Sequence, residues 1–295
     1  LNLVSWYQKR RLRIIPLIFV TPNITLFMIF MIIPIFFTFY ISFYRWGILG
    51  EAEFVGFENY TRMFKDPVFW VSLKNTVYYT VGTVPFEMVL GLAGALLLNH
   101  KIPFRSFFRT VFFAPVVVSL VSTGLIWAWM YNPDYGLVNY VLSKIGIEGV
   151  NWLSSAETAM PAIIITTLWV RIGYSMVIYL AGLQSIPKSL YESAEIDGAG
   201  SLRKLWYITL PLLKNTTIFV LVIEIIHGFM VFDLVYTMTN GGPGYTTTVV
   251  VQYIYQKAFV EGDMGYASAV GTVFFLFILT LTMLQLRLGR EKDEL

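Results

Sequence analysis

Residues 14–44 run for 31 positions without one charged side chain. As an α-helix that run would be about 46 Å long, against about 30 Å of hydrocarbon in a bilayer. Pro16 and Pro22 predict a short entry piece, with the spanning part starting near Asn23. Five further apolar stretches are long enough to cross. They are 75–99 (with Pro85 and Glu87 inside), charge-free 110–131, 158–183 (Arg171 at its middle), 215–239 (Glu224, His227 and Asp233) and charge-free 264–286. Charged residues are 13% and mean hydropathy is +0.67, so the bilayer is the expected solvent. The expectation is an all-α integral membrane protein with six transmembrane helices and a single transmembrane domain over 1–295. A net charge of +3 is too small to indicate nucleic acid, and the lack of cysteine removes thiol catalysis and thiolate metal sites. The chain begins at Leu1 rather than Met, which predicts that residues precede it.

Lys and Arg set the orientation. With six spans both termini share one side. That side takes fourteen Lys and Arg, at 9–13, 101–109, 188–214 and 287–292, and the other takes six. The termini are therefore expected in the cytoplasm, and the 45–74, 132–157 and 240–263 loops outside. A signal peptide is excluded because the apolar run after Lys9 is too long and no cleavage site follows. Lys292–Leu295 spells a lumenal retention signal, but this orientation puts it in the cytoplasm.

Between spans four and five lies a stretch of another character, LYESAEIDGAGSLRKLWYITLP, residues 190–211. Pro187 suits the first turn of a helix running to about Asp197, and Gly198 is a natural left-handed stop. Ser201 is placed to cap a second helix, and Pro211 to end it at the membrane. Small residues surround the bend. A plain connector needs no such bend, and a DNA-binding helix–turn–helix would have a basic face and would not be pinned to the bilayer at both ends. A docking module on a cytoplasmic partner remains.

These residues carry a resemblance. Glu192-Ser193-Ala194, Asp197-Gly198-Ala199 and Ile208-Thr209-Leu210-Pro211 resemble the EAA coupling motif of permeases of ATP-binding-cassette importers, with nine residues between Gly198 and Ile208. Ser193 stands where Ala is usual. Asn75-Thr76, the 182–187 stretch Gly-Leu-Gln-Ser-Ile-Pro, and Thr239-Asn240-Gly241-Gly242-Pro243 are similar to the carbohydrate-uptake, maltose-permease-like branch, and the resemblance covers most of the chain. It implies a bacterial inner-membrane subunit that pairs with a second permease. It implies two ATPase subunits that bind ATP and Mg and grip the coupling helix, and a solute-binding protein that delivers a saccharide to the outer loops. Glu192 is then the residue that pairs with a basic group on the ATPase, and Gly198 the bend that fits its cleft. Gly241, Gly242 and Pro243 become binding-protein contacts. The chain has no phosphate loop of its own, so no cofactor is expected in it.

Glu87, Arg171, Glu224 and His227 fall near span centres, where a charge costs roughly 2.5–3.5 kcal/mol and so pairs or faces a water-filled path. One reading is a structural ion pair, for instance Arg171 with Glu224. The other uses the resemblance, which places sugar contacts on Thr167, Val170, Arg171 and Tyr174, then on Glu224, His227, Gly228 and Val231. Each set lies on one helical face. Ionisable residues there fit a charged saccharide such as a uronic acid oligomer, and the alginate importer is the suspected relative. An ion-coupled secondary transporter is the alternative, but it leaves the 190–211 stretch unexplained and no internal repeat is visible. An intramembrane zinc enzyme lacks an H-E-x-x-H motif, since the histidines are His100 and His227.

Overall fold

The computed structural model describes residues 17–47, 50–100 and 102–290. The cations at 9–13, Lys101 and the 292–295 tail, used above for orientation, lie outside those residues. Among the described residues five helices are long and apolar enough to cross a membrane, six if the bent pair 105–130 counts as one span. By contacts the chain divides into two compact units.

The first unit holds residues up to Lys65 together with 254–273. Helix α1 (Leu17–Ile41) has only 6% of its most apolar window buried, as suits a helix solvated by lipid. It runs straight through Pro22, contrary to the expected start near Asn23. The proline withholds the N–H that would reach the Ile18 carbonyl, yet the helix continues past it. In a bilayer, local adjustment of the helix re-satisfies such groups. A second proline, Pro34, is accommodated by a π turn at Met28–Ile32, where Ile33 N–H bonds to the Met28 carbonyl. The wider turn relieves the clash between the proline ring and the carbonyl four residues back.

After α1 the chain leaves helical geometry. Strand β1 (Tyr44–Arg45) pairs antiparallel with β2 (Glu53–Phe54), and α2 (Glu58–Lys65) follows. Buried Asn59 ties α2 back, its Nδ2 donating to the Ser42 and Tyr44 carbonyls at 2.9 Å each. Arg45 forks to Glu53 at 3.2 Å and Glu58 at 2.6 Å. Arg62 pairs with Asp263 at 2.6 Å and lies over the Tyr266 ring.

The second unit holds residues 66–253 and 274 onward. Helix α3 (Pro67–Asn99) starts eight residues before the expected span, because Asp66 caps it by accepting from Val68 N–H and Pro67 fits its first position. Then come α4 (Arg105–Phe113), a 3₁₀ turn at Ala114–Val117 and α5 (Leu120–Met130). These were expected as one straight span over 110–131, but they meet at 98°. Pro115 withholds a donor, and Val118 and Ser119 are extended at ψ 142° and 130°. The loop helix α6 (Leu137–Lys144) precedes α7 (Ala159–Ser185), which is unbroken and packs along α3.

Next come α8 (Lys188–Ile196), α9 (Ser201–Lys204), a π turn at Leu205–Thr209, α10 (Leu210–Leu212) and α11 (Lys214–Phe229). Two local expectations change here. Pro187 is the N-cap of α8 rather than its first residue, and Gly200, not Ser201, caps α9. Pro211 stands one residue before the helix stops at Leu212. The π turn before it opens the backbone, with Leu210 N–H bonded to the Leu205 carbonyl, as the turn before Pro34 does. The expected span 215–239 is also interrupted. α11 stops at Phe229, and α12 (Asp233–Met238) begins after Met230–Phe232. Helices α13 (Val250–Tyr255) and α14 (Met264–Arg290) complete the chain.

Two apolar clusters fill this unit. One gathers Tyr131, Met160, Ile163, Leu234, Val235 and Val249, and the other Leu98, Met176, Tyr179, Leu183, Leu213 and Val220. Along α7, Arg171 falls between them.

Candidate functional site

Helices α3 and α7 approach closely because Gly91 has no side chain. A Cβ there would lie 2.7 Å from Ser175 Cβ. Small residues at such crossings are how membrane helices gain contact without a hydrophobic drive. One turn from Gly91 on the same face is Glu87, and one turn from Ser175 is Arg171.

Helix α11 supplies Glu224 to this layer. Arg171 Nε and Nη2 both donate to Glu224 Oε2, at 3.0 and 2.7 Å. Ser175 Oγ donates to Oε1 at 2.7 Å. Both oxygens of this fully buried carboxyl are thus partnered. Arg171 Nε lies 4.0 Å from Glu87 Oε1, and its guanidinium carbon 5.6 Å from the centre of the Tyr174 ring. A low-dielectric interior strengthens such a pair, and breaking one side of it strands the other charge.

Beside the pair lies a cavity of about 120 Å³, lined by Arg171, His227 and Asp233 among others. Of the positions proposed as sugar contacts, Thr167, Arg171, His227, Gly228 and Val231 line it. Val170 is buried outside its wall, Tyr174 lies beside Arg171, and Glu224 sits behind the guanidinium. Val231 reaches the wall because α11 has already ended, not as a position on a continuing helix. The wall also takes Tyr79, Thr83 and Glu87 from α3, a helix absent from the proposed contacts. The available signal was the mid-span Glu87, with Thr83 and Tyr79 four and eight residues before it on the same face.

At the other end of α7 the charged stretch folds as a closed bend. Gly198 has φ +73°, Ala199 N–H bonds to the Ala194 carbonyl at 2.8 Å and Gly198 N–H to the Glu195 carbonyl at 3.0 Å, the full Schellman pattern. A side chain at Gly198 would meet nothing within 4 Å, so the demand for glycine is conformational. Lys204 pairs with Glu195 at 2.6 Å, and the Tyr191 hydroxyl lies 3.0 Å from Thr209 Oγ1, which locks the two arms. Glu192 and Ser193 are exposed. Ala194, Asp197 and Ile208 border a shallow groove of about 440 Å³ with Arg203, Lys204 and Tyr207. Leu210 and Pro211 carry the chain toward α11. Ile196 (88% exposed), Trp206 (65%) and Tyr207 (78%) leave apolar surface uncovered.

On the opposite side, two of the resembling motifs meet. Asn75 Nδ2 donates to the Tyr245 and Thr248 carbonyls at 2.8 and 3.0 Å, and Thr76 Oγ1 accepts from Val250 N–H at 3.0 Å. Thr247 and Thr248 hydroxyls donate to the Gly242 and Gly241 carbonyls. The Gly241-Gly242-Pro243 turn is thereby anchored to α3. Among the described residues no group of three or more His, Asp or Glu is placed to hold a metal.

The sequence matches the family model described as "Binding-protein-dependent transport system inner membrane component" over residues 87–292. It is 40% identical to the sulfoquinovosyl glycerol transport system permease protein SmoG of Agrobacterium fabrum, over 95% of this chain and 92% of that one. It is 37% identical to the trehalose/maltose transport system permease protein MalF of Thermococcus litoralis, over 99% of each. Among solved structures, a chain of a bacterial importer of the acidic polysaccharide alginate superposes with a TM-score of 0.86 at 25% identity, covering 98% of this chain and 99% of that one. A chain of the alginate transporter in complex with an alginate pentasaccharide-bound periplasmic protein superposes at 0.85, with 26% identity and 96% of each covered. The chain therefore belongs to the family of inner membrane components of binding-protein-dependent transport systems.

Proposed function

We propose that this chain is one transmembrane permease subunit of an ATP-driven importer, in which all six segments, the bent pair included, cross the inner membrane as a single domain with both termini cytoplasmic. The observation that carries the reading is a shared pair of helices. α7 holds the cavity's Arg171, α11 holds its ion-pair partner Glu224 and the cavity's His227, and the closed bend of residues 186–213 joins their ends. Motion imposed on the bend reaches the cavity through its own walls.

In this reading the bend, with Glu192, Ser193, Ala194, Asp197 and Gly198, docks in a cleft of a separate ATPase subunit. Ile208, Leu210 and Pro211 set its exit. Each of two ATPases binds ATP and Mg, and a second permease completes the pathway. A solute-binding protein contacts the Gly241-Gly242-Pro243 turn on the outer face. The cavity, with Thr167, Arg171, His227, Gly228 and Val231, lies on the substrate path. The substrate is an oligo- or polysaccharide, and an acidic one is favoured by Arg171 and His227, since Nη1 of Arg171 is not used in its bonds to Glu224. The alginate and sulfoquinovosyl glycerol named for two of the similar proteins are acidic saccharides, and trehalose and maltose are neutral.

Purified alone, the chain is expected neither to bind nor to hydrolyse ATP. Assembled with its partner permease and ATPases, it should show ATP turnover that rises with sugar-loaded binding protein. ATP hydrolysis by the isolated polypeptide, or an assembled complex indifferent to the loaded binding protein, would sink the proposal.

A further inference from the structure

Helix α4 places a cation where a spanning chain rarely leaves one. A Cβ at Gly173 would overlap the Phe112 carbonyl and lie 3.0 Å from Phe113 Cα, so the end of α4 is pressed onto α7 at Gly173. Gly173 is one residue past the centre of α7 (Ala159–Ser185). That helix is about 40 Å long against about 30 Å of hydrocarbon, so its centre stays within about 5 Å of the bilayer midplane. Arg109 stands one turn before Phe112 and Phe113, about 5 Å back along α4. It is therefore at most about 12 Å from the midplane, inside the hydrocarbon half-thickness of about 15 Å. The sequence expectation had placed it in the loop before a span starting at Thr110. Its side chain is exposed, and among the described residues it has no hydrogen bond or ion pair. Charges at that depth almost always pair or face a water-filled path. Arg105, a turn nearer the helix start and half-buried, is shallow enough to snorkel to the surface.

The backbone after α4 points the same way independently. Val118 and Ser119 are extended, and Val117, Val118 and Ser119 are exposed, just beyond the Gly173 crossing. Non-helical backbone at membrane depth is tolerated only where protein buries it or where it lines a water-filled cavity. Leu120, the next residue, lines the cavity together with Arg171. The segment that enters the cavity wall at Leu120 is thus the one that carries Arg109. On α7, Arg171 stands two residues from Gly173. In the proposed orientation it lies on the outer side of the crossing and Arg109 on the cytoplasmic side. Two permanently charged guanidiniums then stand at successive levels, and a solvated guanidinium attracts carboxylates.

We propose that Arg109 is a specificity-determining residue, which lines a water-filled continuation of the cavity toward the cytoplasm and favours saccharides that carry a carboxylate. This rests on the reading of the chain as a saccharide permease. The first test uses the complete importer in inside-out membrane vesicles without ATP, its other subunits free of cysteine. Arg109→Cys should react with the impermeant anionic reagent 2-sulfonatoethyl methanethiosulfonate. Reaction only with lipid-soluble N-ethylmaleimide, or with neither reagent, overturns the proposal, since the side chain then faces lipid or the second permease. The second test measures uptake of a mannuronate trisaccharide and of maltotriose in proteoliposomes with the binding protein, per assembled complex. Arg109→Gln should lower kcat/KM for the uronate about tenfold and hold maltotriose within about threefold of wild type. Arg109→Lys keeps the charge and should hold both within about threefold. An unchanged uronate value in Arg109→Gln, an equal fall for both sugars, or a fall in Arg109→Lys as deep as in Arg109→Gln overturns the proposal. So does a wild-type complex that moves maltotriose and not the uronate. A wild-type complex that moves neither removes the saccharide reading itself, while the reactivity of Arg109→Cys still reports whether the route holds water.

Discussion

At the scale of single residues, the Arg171–Glu224 pair answers a question that spacing left open. Either residue alone could have faced the substrate or held two helices together. Geometry puts Glu224 wholly into the second role, bonded by Arg171 and Ser175 with no oxygen left over. Arg171 pairs with Glu224 and also lines the cavity, so the proposed path leaves both roles to it. Removing one side of a buried pair leaves the other uncompensated, typically about 3–5 kcal/mol. Arg171→Gln is therefore expected to lower the thermal unfolding midpoint of the assembled complex clearly. The double variant Arg171→Gln/Glu224→Gln should recover much of that loss. Equal midpoints for wild type and Arg171→Gln would show that the pair holds nothing together. Counting along one helix face found Thr167 and Arg171 at the cavity together, as it should. Glu87 was singled out as a mid-span charge, but Tyr79 and Thr83 on its face were not placed at the cavity, because which face of α3 meets α7 is set by the Gly91 contact, and periodicity within one helix is blind to its neighbour.

At the scale of elements, the closed bend between α8 and α9 was legible in sequence because its signals are local. A glycine that must adopt positive φ and small residues around it act within six positions. Gly198 holds φ +73° with open space where a side chain would go. Gly198→Ala should therefore cost about 1 kcal/mol through backbone strain alone and leave ATPase attachment measurable. Gly198→Leu adds bulk at the proposed docking surface and should sharply reduce co-purification of the ATPases while the chain still inserts. Wild-type recovery of ATPase with Gly198→Leu would remove this bend from the interface. The prolines were harder to read. Pro22 was expected to be a break, yet α1 passes through it, and Pro34, which carried no expectation, is passed behind a π turn. Pro115 carried no expectation either and sits at a 98° bend. Whether a proline breaks a helix depends on whether the preceding turn can widen and on what the freed carbonyl finds, and neither is written at the proline itself.

At the scale of the whole molecule, apolar run length located every helix able to cross a membrane, since that is fixed by the thickness the chain must span. Side was read from Lys and Arg alone. The absence of cysteine makes that directly measurable. A single cysteine at Ser143 should react with an impermeant maleimide in intact cells, and one at Ser201 only after permeabilisation. The reverse pattern would invert the orientation. The two helices that leave the bend differ in one respect with mechanical meaning. From Ser185 to Arg171, α7 is an unbroken rod of about 21 Å. From Ser201 to Glu224 the other arm passes a π turn, a proline and the non-helical Leu213 before α11 begins. A stroke applied at the elbow would cross one extended joint, Ile186–Pro187, on its way to Arg171 and three joints on its way to Glu224. If the bend is driven, one connecting rod has a single joint and the other has three, and the salt bridge across their far ends is where the mismatch between the two strokes would accumulate.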